Sequence, residues 1–154
     1  MKKFFLVMCF CLYPFLQAGA QEKTQPQTQV PWFNIMGDAT DASVNTIEVD
    51  PTPLSINGHK RVMRVRVNRS ADRVSWYDVP YRSYVSEVMF DCATNSARYL
   101  SIDYYRQPFW TGEPSRRAVF GADDYRAMRF LDVEPNPYQV IIRAVCQTGS
   151  VTHN

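Results

Sequence analysis

The sequence predicts an α+β domain: a single antiparallel β-sheet of five or six strands, with a C-terminal α-helix tied to it by one disulfide. Three observations predict this fold. Apolar and polar residues alternate through much of the chain from Trp32 onward, which is the period of half-buried strands. A capped segment with helical periodicity follows near the C-terminus. Two cysteines, Cys92 and Cys146, lie within these two kinds of segment.

Residues 1–20 have the three parts of a secretory signal peptide. A basic start, "MKK", precedes the apolar run "FFLVMCFCLYPFL", and Ala18 and Ala20 form an A-x-A site that predicts cleavage before Gln21. Cys9 and Cys11 lie inside the apolar run without a preceding stretch of small residues, which disfavours a lipid anchor. We therefore expect export to the periplasm, to the outer-membrane surface or to the medium.

The charge balance argues against nucleic acid as a partner. The whole chain has 17 basic and 15 acidic residues, but Lys2 and Lys3 lie in the predicted signal peptide, so the exported chain is formally neutral. A neutral chain without a basic tail is not typical of nucleic-acid binding. No segment after the signal peptide is apolar enough to predict a transmembrane helix.

The exported chain divides into a leader, one domain and a short tail. Residues 21–31 are polar, rich in Gln and interrupted by Pro, which predicts a flexible leader. The domain is expected over 32–148, and 149–154 is expected to be a disordered tail.

Several alternating segments, separated by turn signals, predict the strands. Residues 46–49 alternate and predict a strand, and Asn57-Gly58 indicates a tight turn. In "RVMRVRVN" the apolar residues share one face. The segment "NRSADR" is expected to be a loop, after which "VSWYDV" either extends this strand or begins another. Residues 84–92 and "ARYLSIDYY" then form a hairpin around the turn "ATNS".

Two later segments lack a clear strand period. Residues 107–118 contain two prolines and a glycine and predict a long loop, whereas 122–131 are compatible with a short helix.

The final element has helix start and stop signals. Asn136 is a good N-cap, Pro137 suits the first helical position, and Gly149 can end the helix. An apolar stripe at helical spacing follows the cap: Tyr138, Ile141, Ile142 and Val145. The β-branched run "QVIIRAV" leaves a strand as the alternative, but the caps favour a helix.

The cysteines indicate a disulfide. Cys9 and Cys11 leave with the signal peptide, and Cys92 and Cys146 remain in a chain sent to an oxidising compartment. A helix that packs its stripe on the strand face of Val88 and Phe90 would bring Cys146 to Cys92. Their separation does not fit paired metal ligands, and no metal or other cofactor is expected.

Two groups of residues are candidates for ligand binding. Lys60, Arg64 and Arg66 fall on one face of a predicted strand and suggest contact with a polyanion such as a sulfated polysaccharide. The alternative is an ordinary solvated strand face. In residues 104–117, Arg106 and Trp110 stand among aromatic and basic neighbours typical of interface hot spots, although the aromatic residues could instead fold back as a lid.

The sequence gives no support for catalysis. It contains no G-x-S-x-G, H-E-x-x-H or P-loop pattern, and no catalytic residue is predicted. His59 follows a turn and His153 lies near the C-terminus, so neither is well placed to act as a base. Both remaining cysteines are expected in the disulfide.

Three segments resemble the surface-adhesin protein E family of Gram-negative bacteria. They are "IEVDPTPLSINGHKRVMRVRV", "YRSYVSEVMFDC" with "ARYLSIDYY", and "VEPNPYQVIIRAVC". The resemblance covers residues 32–147 and implies a small antiparallel sheet with a disulfide-tied terminal helix. It also implies adhesion, that is, binding of host extracellular-matrix or serum proteins at the bacterial surface.

The resulting expectation is a non-enzymatic binding protein of the cell envelope. Two alternatives remain open: a periplasmic binding or enzyme-inhibitor module, and a purely structural envelope protein. The sequence is compatible with a homodimer but does not identify the ligand.

Overall fold

The computed structural model describes residues 31–147. The predicted signal peptide, nearly all of the predicted leader, the predicted helix end at Gly149 and the predicted tail lie outside the described residues. The described chain forms eight strands and one α-helix. In chain order these are β1 (Phe33–Met36), β2 (Thr46–Val49), β3 (Ser55–Asn57), β4 (Lys60–Val74), β5 (Pro80–Asp91), β6 (Ser96–Tyr105), β7 (Arg116–Val119), β8 (Arg126–Ala127) and α1 (Tyr138–Gln147).

All eight strands belong to one antiparallel sheet. Its main order is β1-β2-β4-β5-β6-β7, while β3 pairs with one end of β4 and β8 pairs with β6. The predicted α+β class and antiparallel sheet are confirmed, but the predicted number of five or six strands is too low. The additional strands β1, β7 and β8 have two to four residues each and were not predicted.

Two local predictions are wrong. The "NRSADR" segment is not a loop but part of the continuous strand β4. Its polar residues lie where the register with β5 shifts, between Asn68 and Arg73. Residues 122–131 are not a helix. Arg126 and Ala127 pair with β6, and Met128 and Phe130 are buried at alternate positions, which is the period of extended chain.

The predicted loop at 107–118 contains two pieces of regular structure. Residues Pro108–Trp110 form a single turn with 3-10 hydrogen bonding, in which the backbone angles of Phe109 are non-helical, and β7 begins at Arg116. The predicted turn at Asn57-Gly58 is confirmed with a shift of one residue. Asn57 pairs with Lys60, so Gly58 and His59 form the turn, and Gly58 has a φ of +57°.

The terminal helix is confirmed with its predicted cap. The Asn136 side-chain oxygen accepts a hydrogen bond from the Tyr138 backbone N–H at 3.1 Å, and the Pro137 carbonyl accepts one from the Ile141 N–H at 3.0 Å. Ile141, Ile142 and Val145 are buried. The stripe therefore faces the sheet as predicted.

The inner face of the sheet is defined as the face that carries Val65 and Val88, and the helix covers part of it. The predicted disulfide joins Cys92, directly after β5, to Cys146 with a Cα–Cα distance of 5.6 Å. The Tyr138 hydroxyl accepts a hydrogen bond from the Ala97 N–H of β6 at 3.2 Å. The core under the helix includes Ile47, Met63, Val65, Val88, Phe90, Ala97, Ile141, Ile142 and Val145.

Candidate functional site

The predicted basic residues lie on the outer face of the sheet, opposite the helix, and carboxylates accompany them. Arg64 Nη2 lies 3.1 Å from Asp50 Oδ2. Arg66 Nε lies 2.7 Å from Glu48 Oε2. Lys60 is exposed and stands opposite Asp91 of β5 in the sheet register. These acids offset much of the positive charge that strand alternation alone had placed on this face.

Arg66 and Trp110, both predicted to bind ligand, contact each other. The Arg66 guanidinium carbon lies 4.2 Å from the Trp110 ring centre and 4.3 Å from that of Trp32, so two indole rings hold one cation. The Trp110 indole N–H donates a hydrogen bond to the Tyr84 carbonyl at 2.9 Å. Trp110 therefore packs back on the outer face of the sheet and not on the core, while Arg106 is exposed after β6. Ligand contact by these residues stays a prediction.

The backbone around Trp110 is strained. Phe109 and Trp110 have φ values of 53° and 59°, in the left-handed region that residues with a side chain rarely adopt. The cost is roughly 1–2 kcal/mol per residue. The Phe109 N–H donates to the Asn68 side chain and the Trp110 N–H donates to Ser83 Oγ, at 3.1 Å and 3.0 Å. These bonds to the sheet hold the conformation.

A deeper site lies on the part of the inner face that α1 leaves uncovered. It is a cavity of about 370 Å³ between the ends of β4, β5 and β6 and the segment 129–132. We call it the tyrosine cleft. Its lining includes Arg69, Arg73, Ser75, Trp76, Tyr81, Tyr84, Tyr99, Tyr104, Arg129, Leu131 and Asp132.

An irregularity between β4 and β5 shapes the tyrosine cleft. Asn68 pairs with Ser83 and Arg73 pairs with Tyr81, so five residue steps along β4 match two along β5. Strict alternation would place Tyr81 and Tyr84 on opposite faces, yet their ring centres lie 5.9 Å apart. The Tyr81 ring also lies 5.1 Å from that of Tyr104. The irregularity thus collects the rings on one side.

The buried tyrosines are neutral hydrogen-bonding groups. The hydroxyls of Tyr84 and Tyr99 lie 3.1 Å apart and share a hydrogen bond. Burial away from water disfavours the phenolate, which raises the pKa of Tyr99 to about 12 and also raises the pKa of Tyr81, Tyr84 and Tyr104. At physiological pH these side chains therefore provide hydroxyls and ring faces without negative charge.

Positive charge in the cleft comes from arginines. Arg69 is 5% exposed, and its Nη2 donates to the Leu131 carbonyl at 2.8 Å. Arg73 Nη1 lies 3.2 Å from Asp132 Oδ2. The Nε atoms of both arginines are buried and have no hydrogen-bond partner within residues 31–147. Arg129 is exposed at the rim.

Exposed aromatic residues extend the surface beside the cleft. Trp76 is 47% exposed, and its ring packs edge-on against Tyr99 and Phe120, with centre distances of 5.9 Å and 6.1 Å. The Tyr77 ring stacks on the Phe120 ring with a distance of 6.4 Å between ring centres. We call Val74, Trp76, Tyr77, Tyr125 and Leu131, which are all exposed, the aromatic rim.

Sequence reasoning did not identify the cleft or the rim as a site. The available signal was "SWYD", in which two large aromatic residues occupy a position where turns are usually polar. Ser75 and Val79 close this turn with a 2.9 Å backbone hydrogen bond, which presents Trp76 and Tyr77 to solvent.

The described part of the chain has neither a metal-ligand cluster nor a membrane-spanning helix. Within residues 31–147, no group of three or more His, Cys, Asp or Glu side chains is arranged to hold a metal ion. The helix described there is too short to span a bilayer.

The structure is that of a small disulfide-linked α+β domain with an exposed aromatic surface. Residues 32–147 match the sequence model of surface-adhesin protein E. The chain belongs to the surface-adhesin protein E family, which implies a protein of the cell surface or a secreted one. It matches no curated protein and no solved structure at a significant level.

Proposed function

We propose that this protein is a non-enzymatic adhesin that binds host matrix or serum proteins through the aromatic rim and the tyrosine cleft. The observation that carries this proposal is the exposure of Trp76 and Tyr77 on a preformed support. Ring contacts with Tyr99 and Phe120 fix both side chains before any partner arrives. Rigid aromatic residues lose little conformational entropy on binding, which favours affinity.

Arginines next to the rim support the same proposal. The guanidinium carbon of Arg126 lies 5.7 Å from the centre of the Trp76 ring. That of Arg116 lies 5.6 Å from the centre of the Tyr77 ring. Tryptophan, tyrosine and arginine are the residues most enriched at interface hot spots. Binding of a sulfated polysaccharide to Lys60, Arg64 and Arg66 is less favoured, because Asp50 and Glu48 already pair with the two arginines.

A binding assay tests the proposal. The exported chain is applied to immobilised matrix and serum proteins, and affinity is compared between wild type, Trp76→Ala and Phe33→Ala. Phe33 is a matched control because it is also an exposed aromatic residue, on the distant edge strand β1. We expect Trp76→Ala to weaken binding at least tenfold and Phe33→Ala to leave it unchanged.

Two results would overturn the proposal. One is equal binding by Trp76→Ala and wild type, with both folded by circular dichroism. The other is a protein found only in the periplasm, with no antibody signal on whole cells, which would favour the inhibitor or structural alternatives. Inhibition of lysozymes or proteases by the wild type would identify the inhibitor alternative.

A further inference from the structure

The tyrosine cleft is lined by two arginines with unused hydrogen-bonding capacity, of which Arg69 is buried and Arg73 is partly exposed. The Nε atoms of Arg69 and Arg73 lack a partner within residues 31–147, and both side chains line the same cavity. Buried polar atoms without a partner are rare in folded proteins, and each needs a physical reason. An oxyanion that enters the cleft would accept hydrogen bonds from such groups.

The charge of the lining favours an anion. Three arginines face one carboxylate, that of Asp132, which pairs with Arg73. The surrounding tyrosines are neutral and supply hydroxyls. An anion inside this partly enclosed site is held more strongly than on the open outer face, because water screens the charges less.

The shape of the lining favours a ligand that contains a sugar ring. The Tyr81 and Tyr104 rings are tilted by 52° with centres 5.1 Å apart, and Trp76 forms the exposed side of the site. The negative faces of aromatic rings attract the polarised C–H groups of a sugar ring. A volume of about 370 Å³ lies within the range of small-molecule sites. A single acidic amino-acid side chain would fill only part of it.

We propose that the tyrosine cleft binds the acidic end of a glycan, meaning a sugar ring that carries a carboxylate or a sulfate. The oxyanion lies on Arg69 and Arg73, and the ring packs against Tyr81, Tyr104 and Trp76. Tyr81 and Ser75 belong to the lining, and their hydroxyls form hydrogen bonds with the hydroxyl groups of the sugar. The inference rests on the proposed function, since it names the group on a host glycoprotein that the cleft holds.

Nuclear magnetic resonance gives a direct test, because arginine Nε–H groups have their own signals. The full exported chain is titrated with glucuronate, with glucose 6-sulfate, with glucose and with N-acetyl-glutamate amide. We expect both acidic sugars to shift the Arg69 and Arg73 Nε–H signals, with a Kd of about 1 mM for a ligand of this size. Glucose, which lacks the oxyanion, and the amino-acid derivative should bind at least tenfold more weakly.

Variants identify the residues involved. Arg73→Gln should weaken glucuronate binding at least fivefold, and Tyr81→Ala should do the same through the ring contact. Arg143→Gln is the matched control, because Arg143 is an exposed arginine on α1. If Arg73→Gln does not fold, Tyr81→Ala and the Nε–H shifts of the wild type decide the outcome.

Three results would overturn the inference: equal binding of glucuronate and glucose, tighter binding of the amino-acid derivative than of both sugars, or unchanged affinity in Arg73→Gln and Tyr81→Ala. Loss of sugar binding alone, with host proteins still bound through Trp76, would reject the glycan site and leave the proposed function intact. Sugar binding without host-protein binding would support the site and reject the adhesin role.

Discussion

The guanidinium carbon of Arg66 lies 4.2 Å from the centre of the Trp110 ring on the outer face of the sheet. Each residue was predicted to contact a ligand, and in the folded chain each contacts the other. Arg66 also pairs with Glu48, so its charge is largely satisfied within the domain. The stack therefore joins the Pro108–Trp110 turn to the sheet and contributes to stability.

Trp110→Ala should lower the free energy of unfolding by about 2 kcal/mol. The change removes the cation–π contact with Arg66, the hydrogen bond to the Tyr84 carbonyl and a half-buried indole. Urea denaturation followed by circular dichroism measures the effect. Trp76→Ala is the control and should cost less than about 1 kcal/mol, since Trp76 is more exposed. Equal losses in the two variants would contradict this division of roles.

Removal of the disulfide should destabilise the domain strongly. The bond spans a sequence separation of 54, and the chain-entropy model assigns about 4 kcal/mol to a loop of this length. Unfolding of the Cys92→Ser/Cys146→Ser variant is compared with that of the oxidised wild type. The reduced wild type should match the variant. A stability loss below about 1 kcal/mol would show that helix packing alone holds α1 on the sheet.

Alkaline pH should destabilise the domain, and Tyr99 should contribute to the loss. Burial raises the pKa of Tyr99 from 10.0 to about 12, so the unfolded state loses its proton first. The stability that Tyr99 contributes is fully present below pH 10 and falls as the pH rises toward 12, by about 3 kcal/mol. Denaturation at a series of pH values measures the decline. Tyr99→Phe should fall less steeply over this interval, and an identical slope would exclude Tyr99 as the cause.

Asn136→Ala should cost about 1 kcal/mol, because the helix loses its N-cap. The side chain also donates to the Phe130 carbonyl at 3.1 Å, so two bonds disappear together. Asn136→Asp separates them, since it keeps the acceptor for the Tyr138 N–H and loses the donor. We expect Asn136→Asp to lose less than half of the stability that Asn136→Ala loses. Equal destabilisation would mean that the link to Phe130 dominates.

Local patterns allowed the main elements to be predicted. The alternation in β4 and β5, the Asn136 cap and the position of Cys146 relative to the apolar stripe all act within a few residues, and they gave the sheet, the helix and the disulfide. The segment 122–131 failed because its structure depends on pairing with β6, which is distant in sequence. Polar residues there supported a helix only when read in isolation.

The binding surfaces could be predicted less well. Positive charge in β4 was visible in the sequence, but the partners of Arg64 and Arg66 come from Asp50 and Glu48, which only the sheet register brings close. The tyrosine cleft depends on the irregular pairing that brings Tyr81 beside Tyr84. No local period encodes such a shift.

The ten-residue helix α1 is short for a sheet of eight strands. It covers part of the inner face and leaves the tyrosine cleft open beside it. Neither cysteine of the disulfide and no residue of α1 lines the cleft. A related chain with other side chains in the cleft would therefore keep its covalent tie between helix and sheet while it presents a different ligand surface.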